Sequence, residues 1–185
     1  MPYLCGIEEA GRGPIAGPVT AAAVSFLDAA PLPQLRDSKQ LSAARRAEIE
    51  RLIRRDYVFG LGWCWPAEID LLNIHHATLL AMQRAYRSLS RRAPDLDSVL
   101  VDGKFAPELP IPARALVGGD RTQPEIQAAS ILAKTARDRF MTAYAELDAR
   151  YDFERHKGYP TAGHYLVLAR LGRCMLHRRS FRGVP

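Results

Sequence analysis

The sequence predicts an α/β domain built on a mixed sheet, and three observations lead there. Two short apolar runs come first and flank a glycine- and proline-rich turn, the usual way of joining neighbouring strands. Strand-like and helix-like stretches then alternate, as they do where helices cover a sheet. The chain of 185 residues, 48% apolar and 25% charged, can bury a core without disulfides, and no linker or repeat divides it.

Tyr3 to Ile7 is the first apolar run and ends on the pair Glu8-Glu9; Val19 to Phe26 is the second. Between them, Ala10 to Pro18 holds three glycines and two prolines, the chemistry of a tight turn. Pro31 to Lys39 reads as loop. Ser42 then caps a helix, Ala43 to Arg54, with Ile49, Leu52 and Ile53 on one face. Tyr57 to Trp65 is aromatic and β-branched, a third strand, and its alternating Trp63 and Trp65 are expected to pack on one face.

Asn73 to Leu89 reads as a buried helix, because Ile74, Ala77, Thr78, Ala81, Met82 and Ala85 recur near helical spacing. Ser98 to Asp102 is a buried strand ending on a carboxylate, and Ala113 to Val117 is a shorter one running into Gly118-Gly119-Asp120. Glu125 to Tyr144 forms a long helix and Thr161 to Leu171 the last, before a tail with His177-Arg178-Arg179.

There are 26 Lys and Arg against 20 Asp and Glu, a net charge of +6 that points to an anionic partner such as nucleic acid. Cys5, Cys64 and Cys174 are odd in number and far apart, which excludes a disulfide framework and a CxxC-type zinc site and suits a reducing compartment. No apolar run approaches the ~18 residues of a membrane span. Glu8 and Glu9 stand where the apolar run of a secretory signal would lie. A cytoplasmic, monomeric protein is expected.

Three places put acids where a strand runs out: Glu8-Glu9, Asp102 and Asp120. Hard divalent cations take oxygen ligands, and four carboxylates at one sheet edge would suit two ions ~3.5–4 Å apart, the clamp of phosphodiester hydrolysis. Each acid alone reads as readily as an ordinary exposed strand end. The pair Glu8-Glu9 is less ordinary, since two like charges abutting an apolar strand ask for a compensating cation. In the turn, only glycine lets a backbone approach a sugar edge, and exposed amides there can test for the 2′-hydroxyl that separates RNA from DNA. A plain hairpin is the competing reading of the same residues.

The chain also resembles a known family. Gly6-Ile-Glu-Glu-Ala-Gly-Arg-Gly-Pro14 is similar to the opening motif of bacterial ribonuclease HII, the type 2 ribonuclease H. Asp37-Ser-Lys-Gln-Leu41, Asn73-Ile74, Ala77 to Met82, Val101-Asp-Gly103 and Gly119-Asp120 follow in the family's order. Ala128 to Lys134, Arg137-Asp-Arg139, Lys157 to Thr161 and His177 to Phe181 complete the series over nearly the whole chain. The resemblance implies a ribonuclease H-like fold over residues 1–185, a central mixed five-stranded sheet flanked by helices with a short helical C-terminal part. It implies metal-dependent cleavage of RNA in RNA/DNA hybrids and of single ribonucleotides embedded in duplex DNA, leaving 5′-phosphate and 3′-hydroxyl ends.

The family's metal ligands fall on Glu8, Glu9, Asp102 and Asp120, for two ions of Mg²⁺ or Mn²⁺, and its substrate readers on Gly11, Arg12 and Gly13 with Tyr159. Tyr159 suits stacking against a sugar or base. Lys39, Lys134 and Arg137 are candidate phosphate contacts, with a solvated helix or loop charge as the competing reading of each, and Arg178 and Arg179 extend the basic surface or are equally tail charges. His75, His76 and His164 lack ligand partners at metal spacing and read as structural or surface residues.

Two positions depart from the family pattern. Glu8 stands where Asp is usual, and the extra methylene moves the carboxylate by ~1.5 Å. Gly118 stands where many relatives have lysine. Glu8 therefore leaves two alternatives: a changed preference, toward long hybrids or double-stranded RNA, or a catalytically silent nucleic-acid binder.

Overall fold

The computed structural model describes residues 3–31, 35 and 42–185. Lys39 and the block 37–41 lie outside the described residues.

Five strands form one sheet: β1 (Leu4–Ala10), β2 (Val19–Ser25), β3 (Val58–Cys64), β4 (Ser98–Asp102) and β5 (Ala113–Leu116), in the order β3-β2-β1-β4-β5. The turn after β1 folds β2 back antiparallel, with Ile7 opposite Ala23, and β3 continues antiparallel beside β2. On the other side β4 and β5 run parallel to β1 and to each other, so the sheet is mixed, as expected. Parallel partners need a crossover, and α1 (Ala43–Asp56) and α2 (Pro66–Ser90) occur between β1 and β4.

The sheet is buried on both faces. On one, Cys5, Ile7, Val99 and Val101 pack with Ala77, Ala81, Met82 and Leu89 of α2. On the other, Ala22 and Val24 meet Ile49 and Ile53 of α1 and Ala128, Ala129, Leu132 and Ala133 of α3 (Pro124–Leu147). A third cluster joins Ile15 and Ala16 of the turn after β1 to Met141, Tyr151, Phe153, Leu168 and Leu176. It holds the C-terminal part, with α4 (Phe153–His156) and α5 (Ala162–Leu171), against that turn.

Several expectations are corrected in detail. β1 runs three residues past Ile7, so Glu8 and Glu9 lie within the strand and alternate faces instead of following its end. The helix expected from Asn73 begins at Pro66 and bends at Asn73, whose φ is +65°. Asn73 Oδ1 accepts from the backbone N–H of His75 (2.9 Å) and His76 (3.2 Å), a local cap where the second half starts. Trp65 lies beyond β3 and caps α2 while 42% exposed. Its ring stacks on Trp63 at 6.0 Å, with Phe140 edge-on to both. No helix among the described residues is long and apolar enough to cross a membrane.

Candidate active site and nucleic-acid interface

The site lies at the carboxyl ends of β1 and β4, where ligands commonly bind in open α/β sheets. The parallel register sets Ile7 beside Val101, so Glu8 and Asp102 are next in line. Strand alternation places Glu8 and Asp102 on the α3 face, since Ile7 and Val101 face α2. Oε2 of Glu8 is buried there. The backbone N–H of Asp120 donates to Asp102 Oδ1 at 3.3 Å, and Asp120 is itself buried in the short 3₁₀ turn Gly119–Arg121 before α3.

Glu9 faces the α2 side and reaches the same edge from there. It lines a small pocket of about 60 Å³ with Asp102, Arg12, His75, Lys104 and Phe105. Burial raises the Glu9 pKa; Arg12, 3.5 Å away, opposes the rise, and the Asp102 charge adds a little to it. The four expected carboxylates thus lie near the carboxyl ends of β1 and β4, Glu9 approaching from the α2 side, Glu8 and Asp102 from the α3 side, and Asp120 beside Asp102. Among the described residues no three His, Cys, Asp or Glu side chains stand close enough together to hold a metal ion as they are placed.

Gly11, Arg12, Gly13, Lys134 and Tyr159 line one cleft of about 350 Å³, with Glu9 at its edge and Ser130 in its wall. Tyr159 lies over Gly13, where an added Cβ would be 3.8 Å from the ring. Lys134 Nζ is 5.7 Å from the Tyr159 ring centroid and 2.9 Å from Asp138 Oδ1, so its charge is partly committed within α3. Gly11 has φ +94°, and a Cβ there would overlap Arg137 Nε.

Arg137 and Arg178 are corrections. Both are buried, at 1% and 0% exposure, and neither presents its charge as a surface phosphate contact. Arg137 donates to the carbonyls of Pro18 (2.9 Å) and Ala16 (3.0 Å). Arg178 donates to those of Gly11 (2.6 Å), Arg12 (3.0 Å) and Gly17 (2.8 Å). Burial and then the Arg137 charge lower the Arg178 pKa to about 9, still a cation at neutral pH. Composition carries no sign of this, since buried and exposed arginines read alike. Arg179 is exposed, its N–H donating to Asp70.

The histidines form a structural set the sequence leaves scattered. His156 stacks on His164 at 4.2 Å, and His164 Nε2 lies 3.0 Å from His177 Nε2. Backbone N–H groups of Cys174 and Gly158 donate to His177 Nδ1 and His156 Nδ1, and His164 Nδ1 donates to Tyr159 O at 2.9 Å. Every ring nitrogen then has a role only if all three are neutral. Burial lowers all three pKa values, that of His177 to about 4. His164 is thus structural, as expected, whereas His75 stands at the carboxylate pocket, edge-on to Phe105.

The model of the family described as Ribonuclease HII matches residues 5–184. The ribonuclease HII of Laribacter hongkongensis is 53% identical over 184 residues, covering 96% of this chain and 90% of that protein. Among solved structures, that of a PCNA–RNase HII complex from Archaeoglobus fulgidus aligns with a TM-score of 0.75 at 23% identity, over 97% of this chain and 95% of that one. Bst-RNase HIII in complex with Mn²⁺ aligns with a TM-score of 0.70 at 16% identity, over 99% of this chain and 68% of that one.

Proposed function

The chain belongs to the ribonuclease HII family, and from that membership we propose how its residues divide the work of the enzyme. It is a type 2 ribonuclease H, an endonuclease that depends on divalent metal and acts on RNA/DNA substrates. The family comparisons do not favour a silent binder or a shifted substrate class. One catalytic domain over residues 1–185, acting as a cytoplasmic monomer, is the simplest arrangement.

Glu8, Glu9, Asp102 and Asp120 are the ligands we assign to two ions of Mg²⁺ or Mn²⁺. The donor set fits: it is all carboxylate oxygen, the choice of hard cations, and burial already strains the charge on Glu9. Because β1 splits Glu8 and Glu9 between faces, both side chains must turn toward the strand end to share the pair. Held by Glu8, Glu9, Asp102 and Asp120, the ions would supply Lewis acidity for attack of water on the scissile phosphate and departure of the 3′-oxygen. The ends left are a 5′-phosphate and a 3′-hydroxyl.

The chain's own groups place the duplex. The Gly11–Gly13 backbone approaches the ribose edge, Tyr159 covers the neighbouring sugar or base, and Lys134 meets a phosphate. Lys39 joins Lys134 in this role on sequence alone. The convergence of Gly11, Arg12, Gly13, Lys134 and Tyr159 on one cleft beside Glu9 carries the reading. Gly11 and Tyr159, 148 positions apart in sequence, are brought together there because the Gly158 carbonyl is tied to the Ile15 and Ala16 amides.

The test is digestion of three duplexes by purified protein with Mg²⁺ or Mn²⁺: a DNA duplex with one ribonucleotide, a long RNA/DNA hybrid, and all-DNA. Cleavage of the first two with 5′-phosphate products is expected, and the third stays whole. Intact hybrid and ribonucleotide duplexes at high enzyme concentration would overturn the assignment.

A further inference from the structure

The Gly-Arg-Gly turn is held from below by a buried cation, Arg178, with no carboxylate at ion-pair distance among the described residues. Arg178 has no solvent exposure, and its guanidinium makes no ion pair among the described residues. Burying such a charge is expensive unless hydrogen bonds compensate. The compensation comes from three separate carbonyls, met individually: Nη2 to Gly11 at 2.6 Å, Nη1 to Arg12 at 3.0 Å and Nε to Gly17 at 2.8 Å. Both ends of the turn are thereby tied to one rigid plane.

The orientation of the turn's amides follows. No peptide bond among the described residues is cis, and a trans peptide points its C=O and the next N–H in opposite directions. With the Gly11 and Arg12 carbonyls turned down onto Arg178, the N–H groups of Arg12 and Gly13 turn outward, where both residues are exposed. The same peptides are polarised by the guanidinium, which strengthens them as donors.

We propose that Arg178 is a positioning residue for ribose recognition: its fork fixes the Gly11 and Arg12 carbonyls and so presents the Arg12 and Gly13 amides to the substrate. This rests on the reading of the Gly-Arg-Gly turn as the substrate reader. A lysine cannot reproduce it, because an ammonium is a point and the three carbonyls are met by a plane. The Phe181 ring, 5.0 Å from the guanidinium carbon, keeps that plane in place.

The test measures binding in EDTA by fluorescence anisotropy, with two short duplexes that differ by a single 2′-hydroxyl. Wild type is expected to prefer the ribonucleotide duplex. Arg178→Lys is expected to lose about tenfold of that preference while its affinity for the all-DNA duplex stays within about twofold. A merely structural role would lower the folded fraction, seen by circular dichroism, and weaken both duplexes alike. Phe181→Leu keeps the apolar packing, loosens the fork, and is expected to lose about threefold of the preference. It carries the test if the lysine variant does not fold. Folded Arg178→Lys with the full preference, or Phe181→Leu with the full preference where the lysine variant is unfolded, overturns the role of Arg178. Equal binding of both duplexes by wild type overturns the reading of the turn, and the inference with it.

Discussion

Gly158→Ala should uncouple the two halves of the reading surface. Gly158 has φ +84°, and a Cβ there would overlap the carbonyl oxygen of Ala16. Its own carbonyl accepts from Ile15 N–H at 2.9 Å and Ala16 N–H at 3.3 Å, which fastens the loop to the turn after β1. A left-handed conformation costs a residue with a Cβ about 1–2 kcal/mol. Forcing extra volume into packed backbone adds about 1–3 kcal/mol. A total near 3 kcal/mol corresponds to a Tm drop of about 6–12 °C in a chain of this size.

Relief of that overlap moves the loop away from Ala16, and Tyr159 is the next residue. The Tyr159 ring should therefore lift from Gly13, and misplacement by about 1 Å is enough to cost an order of magnitude or more in rate. The assay pairs calorimetry with kcat on a single-ribonucleotide duplex, measured below the variant's Tm. A variant with wild-type Tm and unchanged kcat would refute the reasoning.

Three further outcomes are expected. Asp102→Asn should cut cleavage at least about a hundredfold, with duplex affinity measured in EDTA little changed; equal loss of both would place Asp102 in binding instead. Lys134→Ala should weaken duplex affinity a few-fold and lower the dependence of log Kd on log salt by about one, whereas an unchanged slope would remove it from the phosphate contacts. Burial holds the folded-state His177 pKa at about 4, below the ordinary 6.5, so the unfolded chain takes up the proton first as pH falls. Stability is then full above about pH 6.5 and declines toward pH 4 by up to about 3 kcal/mol, which urea unfolding at pH 7.5 and 5 would register; His177→Asn should flatten that decline.

Much of the fold is legible in local sequence. The alternation of apolar runs, the Ser42 cap and the helical spacing from Ile74 to Ala85 each report a period that the backbone must satisfy. The Gly-Arg-Gly turn is also visible, because a tight turn needs particular residue types, whereas the four acids stand out as a set only through the resemblance to the family's motifs. What local pattern misses is the last stretch of β1: Glu8 and Glu9 look like a strand's end, yet pairing of Glu8 with Ala22 and Glu9 with Ala21 carries the strand through them. Polarity predicts exposure only until a partner strand supplies the hydrogen bonds.

The sequence by itself determined the family of this chain and the order of its motifs, the paired acids, the Gly-Arg-Gly turn and Tyr159 among them. Tertiary structure alone decided that Arg137 and Arg178 are internal braces and that the half-buried His156 stacks on a buried, hydrogen-bonded His164–His177 pair beneath the Tyr159 loop. The reason is that an arginine's or histidine's role depends on whether carbonyls or water surround it. Those carbonyls, at Gly11, Arg12, Gly17 and Tyr159, are up to 167 residues away along the chain.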